Sequence, residues 1–335
     1  VTDATSVVER KDLYELVLCF AGRVPDDGLA IMRTCLADGE EDQVVALLVT
    51  AVTTRGLALV QHEMELIQTL AAQHGVRTAE LEKAALLAEL PLPVAEFSTP
   101  PSDQDGMDQQ DAIVVEAASR VGGLLGLWRV VRRSEDSEVR LYLGEVEPSS
   151  DVVELAAEAQ HSLVESGVEP RIELFTEGTE LTPYHEAALE KAELVWTAVP
   201  PPRLRLARTF DGADPARGPY FKPDHPRLPD ADAARALSFL RAGETVLSSE
   251  ARMDDVMEPG QAAPVPVSFR SDGTWIWSDS VIYYLERYQL SPEPDLVDHA
   301  LTSTTPPSVL SHLTYHHVLA ELFAPAPQES MWQAS

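Results

Sequence analysis

The sequence predicts a multi-domain α+β chain: an N-terminal helical bundle, a central small α/β domain with a largely parallel sheet, and a C-terminal α+β module with a β-hairpin. Three observations carry this reading. Apolar residues recur with a 3.6-residue period through residues 10–90, then give way after 112 to short strand-like runs alternating with helical ones. Two proline-rich stretches, PLPVAEFSTPPSDQDGMDQQD (91–111) and PPPRLRLARTFDGADPARGPYFKPDHPRLPDAD (200–232), hold too little periodic apolar surface to pack and read as linkers. Finally, 335 residues exceed one typical core.

The elements follow in order. Leu13, Leu16, Val17 and Phe20 make one helical face, and Pro25-Asp26-Asp27 ends that helix and caps the next, which carries Leu29, Met32, Arg33 and Leu36. Val44, Leu47, Leu48 and Ala51 continue the pattern, then Leu66, Ile67 and Leu70. A fifth short helix is expected from Leu81, Ala84, Ala85 and Leu87 behind Thr78. From 112 a helix leads into LLGLWRVVRR (124–133), and SEDSE turns the chain back into VRLYLGEV (139–146) as a hairpin. Asp151 caps a helix to about 166, RIELFT (171–176) is a strand, Pro183 opens a helix at its first turn, and LVWTAV (194–199) closes the segment. Strand–helix–strand order implies crossover connections, hence the parallel sheet. The last module, 233–323, reads as helix, strand, hairpin and three further helices, with a tail at 324–335.

Composition narrows the function classes. The net charge of −30 repels nucleic-acid phosphates and anionic membranes and attracts basic proteins. No apolar run approaches the roughly eighteen residues of a membrane helix. The first residues lack the basic, apolar and small-residue order of an export signal, so the sequence predicts a cytoplasmic protein. Cys19 and Cys35 sit in apolar helical patterns and read as free, buried thiols.

Four groups of side chains are candidates for chemistry or recognition. In VSFRSDGTWIWSDS (267–280), a two-residue Asp272-Gly273 turn places Arg270 opposite Trp275, making a cation–π platform for a partner. A three-residue turn places Phe269 opposite Trp275 and Val267 opposite Trp277, and both rings become core. The second register segregates apolar from polar, and the sequence favours it. Arg270, Trp275, Trp277 and Tyr284, with the linker residues Arg217, Tyr220, Lys222 and Arg227, are the candidate partner-binding set. The linker reads either as a clasp onto the acidic α/β segment or as an anion contact.

Glu145, Glu147 and Glu177 stand at strand ends of the α/β segment, where a hard divalent cation could take carboxylate oxygens. However, 135–195 holds 16 acids against 3 bases, so acids fall at loop ends by chance. His312 and His316 have the i, i+4 spacing of a zinc pair, yet lack the glutamate of HExxH. Neither His62-Glu63 nor Tyr184-His185-Glu186 completes a metalloprotease or triad pattern.

FAGRVPDD (20–27), ELTPYHEAALEKAELVW (180–196) and SFRSDGTWIWSDSVIYYLERYQLSPEPDLVDH (268–299) resemble segments of a group of actinobacterial proteins. Those proteins share a helical start, an acidic α/β middle and a terminal R-[ST]-D-G-x-W-x-W module. The resemblance implies shared architecture and origin, and brings no catalytic residues.

The function expected is a non-catalytic acidic binding protein that engages a basic partner as an adaptor, a toxin-neutralising immunity protein or a charge mimic. No cofactor is expected. The alternative is a metal-dependent enzyme using the acidic loop ends, and a third reading makes the last module a small-ligand sensor.

Overall fold

The computed structural model describes residues 10–99, 109–120, 122–134, 137–260, 263–304 and 309–324. The centre of the first linker, the tip of the SEDSE turn and nearly all of the expected tail lie outside them. The chain is a mixed α+β protein that divides into two compact units, Val1–Val199 and Pro200–Ser335.

The first unit begins with α1 (Arg10–Cys19), α2 (Asp26–Ala37), α3 (Glu41–Arg55) and α4 (Gln61–His74). Most residues that the period selects are buried, Leu13, Leu16, Val17, Leu29, Met32, Leu36, Val44 and Leu48 among them, whereas Leu47 is exposed and Leu66 half-buried. Gly56 and Gly75 close α3 and α4 in the left-handed conformation, where a Cβ would be strained. The fifth helix is corrected. Leu81–Lys83 form a single 3-10 turn, and the chain then extends as β2 (Leu86–Leu87), parallel to β1 (Leu59–Val60). Only Leu81 of this stretch is buried, so a helix here would have no apolar face to bury, and Pro91 forbids its continuation.

The sheet of this unit uses β3 (Glu96–Ser98), β4 (Leu124–Arg133), β5 (Glu138–Val146), β6 (Ile172–Thr176) and β7 (Glu193–Thr197), with α5 (Gln109–Ser119), α6 (Val152–Glu165) and α7 (Pro183–Lys191) between them. The predicted hairpin is the β4–β5 pair, and the features predicted at Asp151 and Pro183 hold, whereas Asp26 and Asp27 lie inside α2 and do not cap it. Asp151 accepts the amides of Val153 and Glu154 at 3.1 and 3.3 Å, and Pro183 stands in the first turn of α7 behind Thr182.

The largely parallel sheet is corrected. β5 and β6 pair in parallel, whereas β3–β4, β4–β5 and β4–β7 pair antiparallel. The crossover logic was sound for direction, since β5, β6 and β7 run the same way. It failed on strand order, because β4 runs the opposite way and lies between β5 and β7. β3 and β7 share the far edge of β4, one against residues 131–133 and the other against 126–129.

At the opposite edge, Tyr14 of α1 donates its hydroxyl to the Leu174 carbonyl at 2.8 Å. Helix α1 thereby blunts an edge strand that would otherwise invite pairing.

The second unit holds β8 (Arg205–Leu206), the small hairpin β9 (Gly212–Asp214) and β10 (Gly218–Tyr220), α8 (Asp230–Ala242), β11 (Glu244–Leu247), β12 (Arg252–Met253), β13 (Val265–Pro266), β14 (Phe269–Ser271), β15 (Trp275–Ser278), α9 (Asp279–Tyr288), α10 (Pro294–Thr302) and α11 (His312–Phe323). Its main sheet has the order β11-β14-β15-β8, antiparallel except for β15–β8.

Neither expected hairpin register is the one adopted. Ser271 pairs with Ile276, Arg270 with Trp277 and Phe269 with Ser278, leaving residues 272–274 as the loop between the strands. Asp272 holds that loop by accepting the amides of Thr274 and Trp275 at 2.9 and 2.8 Å. The register argument failed because it assumed one buried face, and this sheet is covered on both. Trp275 and Trp277 pack with Phe239, Leu240, Val281 and Leu285 of α8 and α9. Ile276 and Val246 pack on the other side with Val318 of α11. Segregation of polar from apolar cannot choose a register where both faces are apolar.

Candidate functional site

Trp275 and Trp277 are core, as the favoured reading of the hairpin expected, and do not form the partner-binding platform of the other reading. Trp277 is fully enclosed, its Nε1 donates to the Leu240 carbonyl at 3.1 Å, and the Phe239 ring lies tilted beside it with centroids 6.2 Å apart. Gly243 makes room for the ring: a Cβ there would stand 2.3 Å from Trp277. Trp275 is 3% exposed. It does make a cation–π contact, with Arg205 at 4.1 Å from the ring centroid, so Arg205 occupies the role read for Arg270. Arg270 instead pairs with Asp279 at 2.7 Å and donates to the Gly243 carbonyl at 3.0 Å. Tyr284 is buried too, and its hydroxyl accepts the Val256 amide at 3.1 Å; burial pushes that hydroxyl up to about 12.

The linker residues divide. Arg217, Tyr220 and Lys222 lie at the surface on or beside the β9–β10 hairpin. Arg227 donates to the Tyr288 carbonyl at 2.6 Å, and Arg208 pairs with Glu293 at 2.8 Å. Arg205 also pairs with Asp295. Arg205, Arg208 and Arg227 thus find these partners within their own unit. His225 bridges Asp211 at 2.9 Å and the Ser291 carbonyl at 3.0 Å.

The acidic loop ends do not converge into a metal centre. Glu145 is buried on β5 in register with Phe175, Glu147 is exposed, and Glu177 is half-buried. Among the described residues, no three His, Cys, Asp or Glu side chains are grouped so as to hold a metal ion, the histidines of α11 included. Cys19 and Cys35 are free and half-buried rather than enclosed; burial, with Glu63 adding to it, pushes the Cys19 thiol up to about 11, where it is protonated and unreactive at neutral pH.

Three buried polar clusters escaped the sequence reading. Asp111 of α5 is wholly buried; it pairs with Arg129, with Arg140 at 3.0 Å, and accepts the Tyr142 hydroxyl at 2.7 Å. His185 stands between Glu173, 2.9 Å from Nε2, and Thr182, 2.7 Å from Nδ1. The carboxylate–imidazole–hydroxyl order looks catalytic, yet Glu173 and His185 are closed off from solvent and Thr182 is the α7 cap, so the chain pins α7 to β6. Arg33 of α2 is 2% exposed; its Nε donates to Gln160 at 2.5 Å while, among the described residues, Nη1 has no acceptor and no carboxylate pairs with it. An open groove of about 560 Å³, lined by Gln109, Gln110, Ile113 and Arg171 among others, lies apart from the Glu173–His185–Thr182 cluster.

Charge is distributed unevenly. The first unit carries 37 acidic against 14 basic residues, net −23, and the second 18 against 11, net −7. Inside the first unit, Arg23, Arg33, Arg129 and Arg132 are set against Asp26, Glu63, Asp111, Glu145 and Glu173, so interior charges nearly cancel. The surplus lies on the surface, where Glu147, Glu158, Glu180 and Glu186 are exposed with no basic partner among the described residues. No helix among the described residues is long and apolar enough to cross a membrane. Comparison with protein-family models, with curated proteins and with solved structures finds no match to this chain.

Proposed function

We propose that this chain is a non-catalytic binding protein whose first unit engages a basic partner protein. The supporting observation is the net charge of −23 in that unit, with its interior charges nearly balanced and its unpaired carboxylates outward. Such a field raises the encounter rate of a basic protein before any contact forms. Docking then uses the carboxylate surface rather than Trp275, Trp277 or Tyr284, which are enclosed.

Adaptor, toxin-neutralising and charge-mimic roles all use this mechanism. The test is affinity capture with the full chain at about 50 mM salt, followed by elution across a salt gradient. A basic protein retained at low salt and released by about 300 mM supports the reading. Recovery of no basic protein, or retention indifferent to salt, removes it.

A further inference from the structure

Around β2 and β3 the chain departs from the burial rule that the rest of the first unit keeps. Residues 84–97 read AALLAELPLPVAEF, with Glu89 and Glu96 as the charged side chains, yet none of these residues is buried. Leu86 is 57% exposed, Leu92 79%, and Val94 is wholly exposed. A lone exposed apolar residue is ordinary, but a run of them on one short segment marks a contact surface.

Both ends of the segment are fixed. Leu86 and Leu87 pair with Leu59 and Val60, and the Leu59 amide donates to the Ala85 carbonyl at 2.9 Å. At the far end β3 pairs with β4, and the Phe97 ring meets Tyr184 edge-on with centroids 5.2 Å apart. Between these anchors, residues 88–95 make no backbone hydrogen bond among the described residues. Pro91 and Pro93 fix their own φ and hold Leu90 and Leu92 extended. The strap is thus shaped before it binds, and little backbone entropy is left to lose. Its flanks are acidic: Glu82, Glu89 and Glu96 are exposed with no ion pair among the described residues, while Lys83 is held by Glu80.

We propose that residues 86–94 are the apolar grip for the basic partner, seating Leu86, Leu92 and Val94 as one extended strand in an apolar groove with a basic rim. The proposal rests on the reading of the chain as a binder of a basic protein, and adds what holds the partner once charge has drawn it in. Exposed aliphatic side chains between carboxylates are complemented by apolar walls and cationic edges. A second copy of this chain brings a net charge of −30 of the same sign, and an anionic membrane repels the same flanks.

The test takes the basic protein that the full chain retains at low salt and measures its association and dissociation rates. The double variant Leu92→Ser, Val94→Ser removes no internal packing, because both side chains face solvent. It should release the partner about tenfold faster while its association rate stays within about twofold. Val199→Ser, an exposed apolar residue outside the strap, should release it at the unaltered rate. Oligolysine, which has charge and no groove, should bind the double variant and the unaltered chain alike. A photocrosslinker at the strap, Val94→p-benzoylphenylalanine, should give an adduct with the basic protein. The proposal is overturned by an unchanged release rate in the double variant, by equal acceleration in Val199→Ser, by matching loss of oligolysine binding, or by an adduct with a second copy alone. Retention of no basic protein removes the functional reading and the grip with it; retention with unchanged release removes the grip alone.

Discussion

The two units solve the same burial problem with different materials. The first keeps ionised groups inside it: Asp111 with Arg129 and Arg140, Glu63 with Arg23, Arg33 with only Gln160. Both units bury rings, Trp128, Phe20 and Phe175 in the first and Trp275, Trp277, Phe239 and Tyr284 in the second, but among the described residues the second encloses fewer ionisable groups, Asp255 and His317 among them. Its charges pair mainly at the periphery, as Arg208–Glu293 and Arg241–Glu286 do. Burying an ion pair costs desolvation that burying a ring does not. The first unit is therefore the one whose stability should respond to single charge changes, and it is also the one that carries the surplus field.

The largest effects test that division directly. Asp111→Ala takes a buried carboxylate from two guanidiniums and the Tyr142 hydroxyl, with Glu193 still on Arg129, and should destabilise the first unit by about 3–5 kcal/mol. Hydrogen exchange resolved by unit is the readout, with α8 and α9 unaffected. Trp277→Ala is the mirror experiment: it should cost the second unit about 3–5 kcal/mol and leave exchange in β4 and β5 unchanged. If either substitution loosens both units equally, the chain folds as one cooperative body and the division fails.

A smaller effect of opposite sign sharpens the comparison. Arg33 is buried without an acidic partner among the described residues, so Arg33→Met should leave the first unit as stable or raise it by about 1 kcal/mol in urea unfolding. A loss above about 2 kcal/mol would mean that Arg33 is compensated by more than its bond to Gln160.

The local grammar of the chain was readable. Helix faces, the cap at Asp151, the proline at the start of α7 and the β4–β5 hairpin all follow from periodicity and short-range steric rules. What could not be read depends on distance or on what covers a surface. Arg132 pairs with Asp26 across 106 positions, and His185 takes Glu173 from another element. Nothing within a short window announces either pair.

Strand order was hidden for the same reason, since crossover connections fix direction but not which strand lies between. The hairpin register was hidden because α11 covers the second face of its sheet. The candidate surface was legible as a sum of charge. Its location required knowing that Trp275, Trp277 and Tyr284 of the expected partner-binding residues are enclosed, while Arg217, Tyr220, Lys222 and Arg227 are exposed on the less charged second unit.

The claim on which the account rests is that surplus carboxylates of the first unit, rather than those of the second, draw in the partner. It is tested by stopped-flow association of the captured basic protein with three forms of the full chain: unaltered, Glu147, Glu158, Glu180 and Glu186 changed to Gln, and Glu250, Asp254, Asp298 and Glu321 changed to their amides. The account predicts that the first set lowers the association rate at about 50 mM salt by about tenfold and the second by less than about twofold. Equal slowing by both sets, or a rate unchanged between low and high salt, would contradict it.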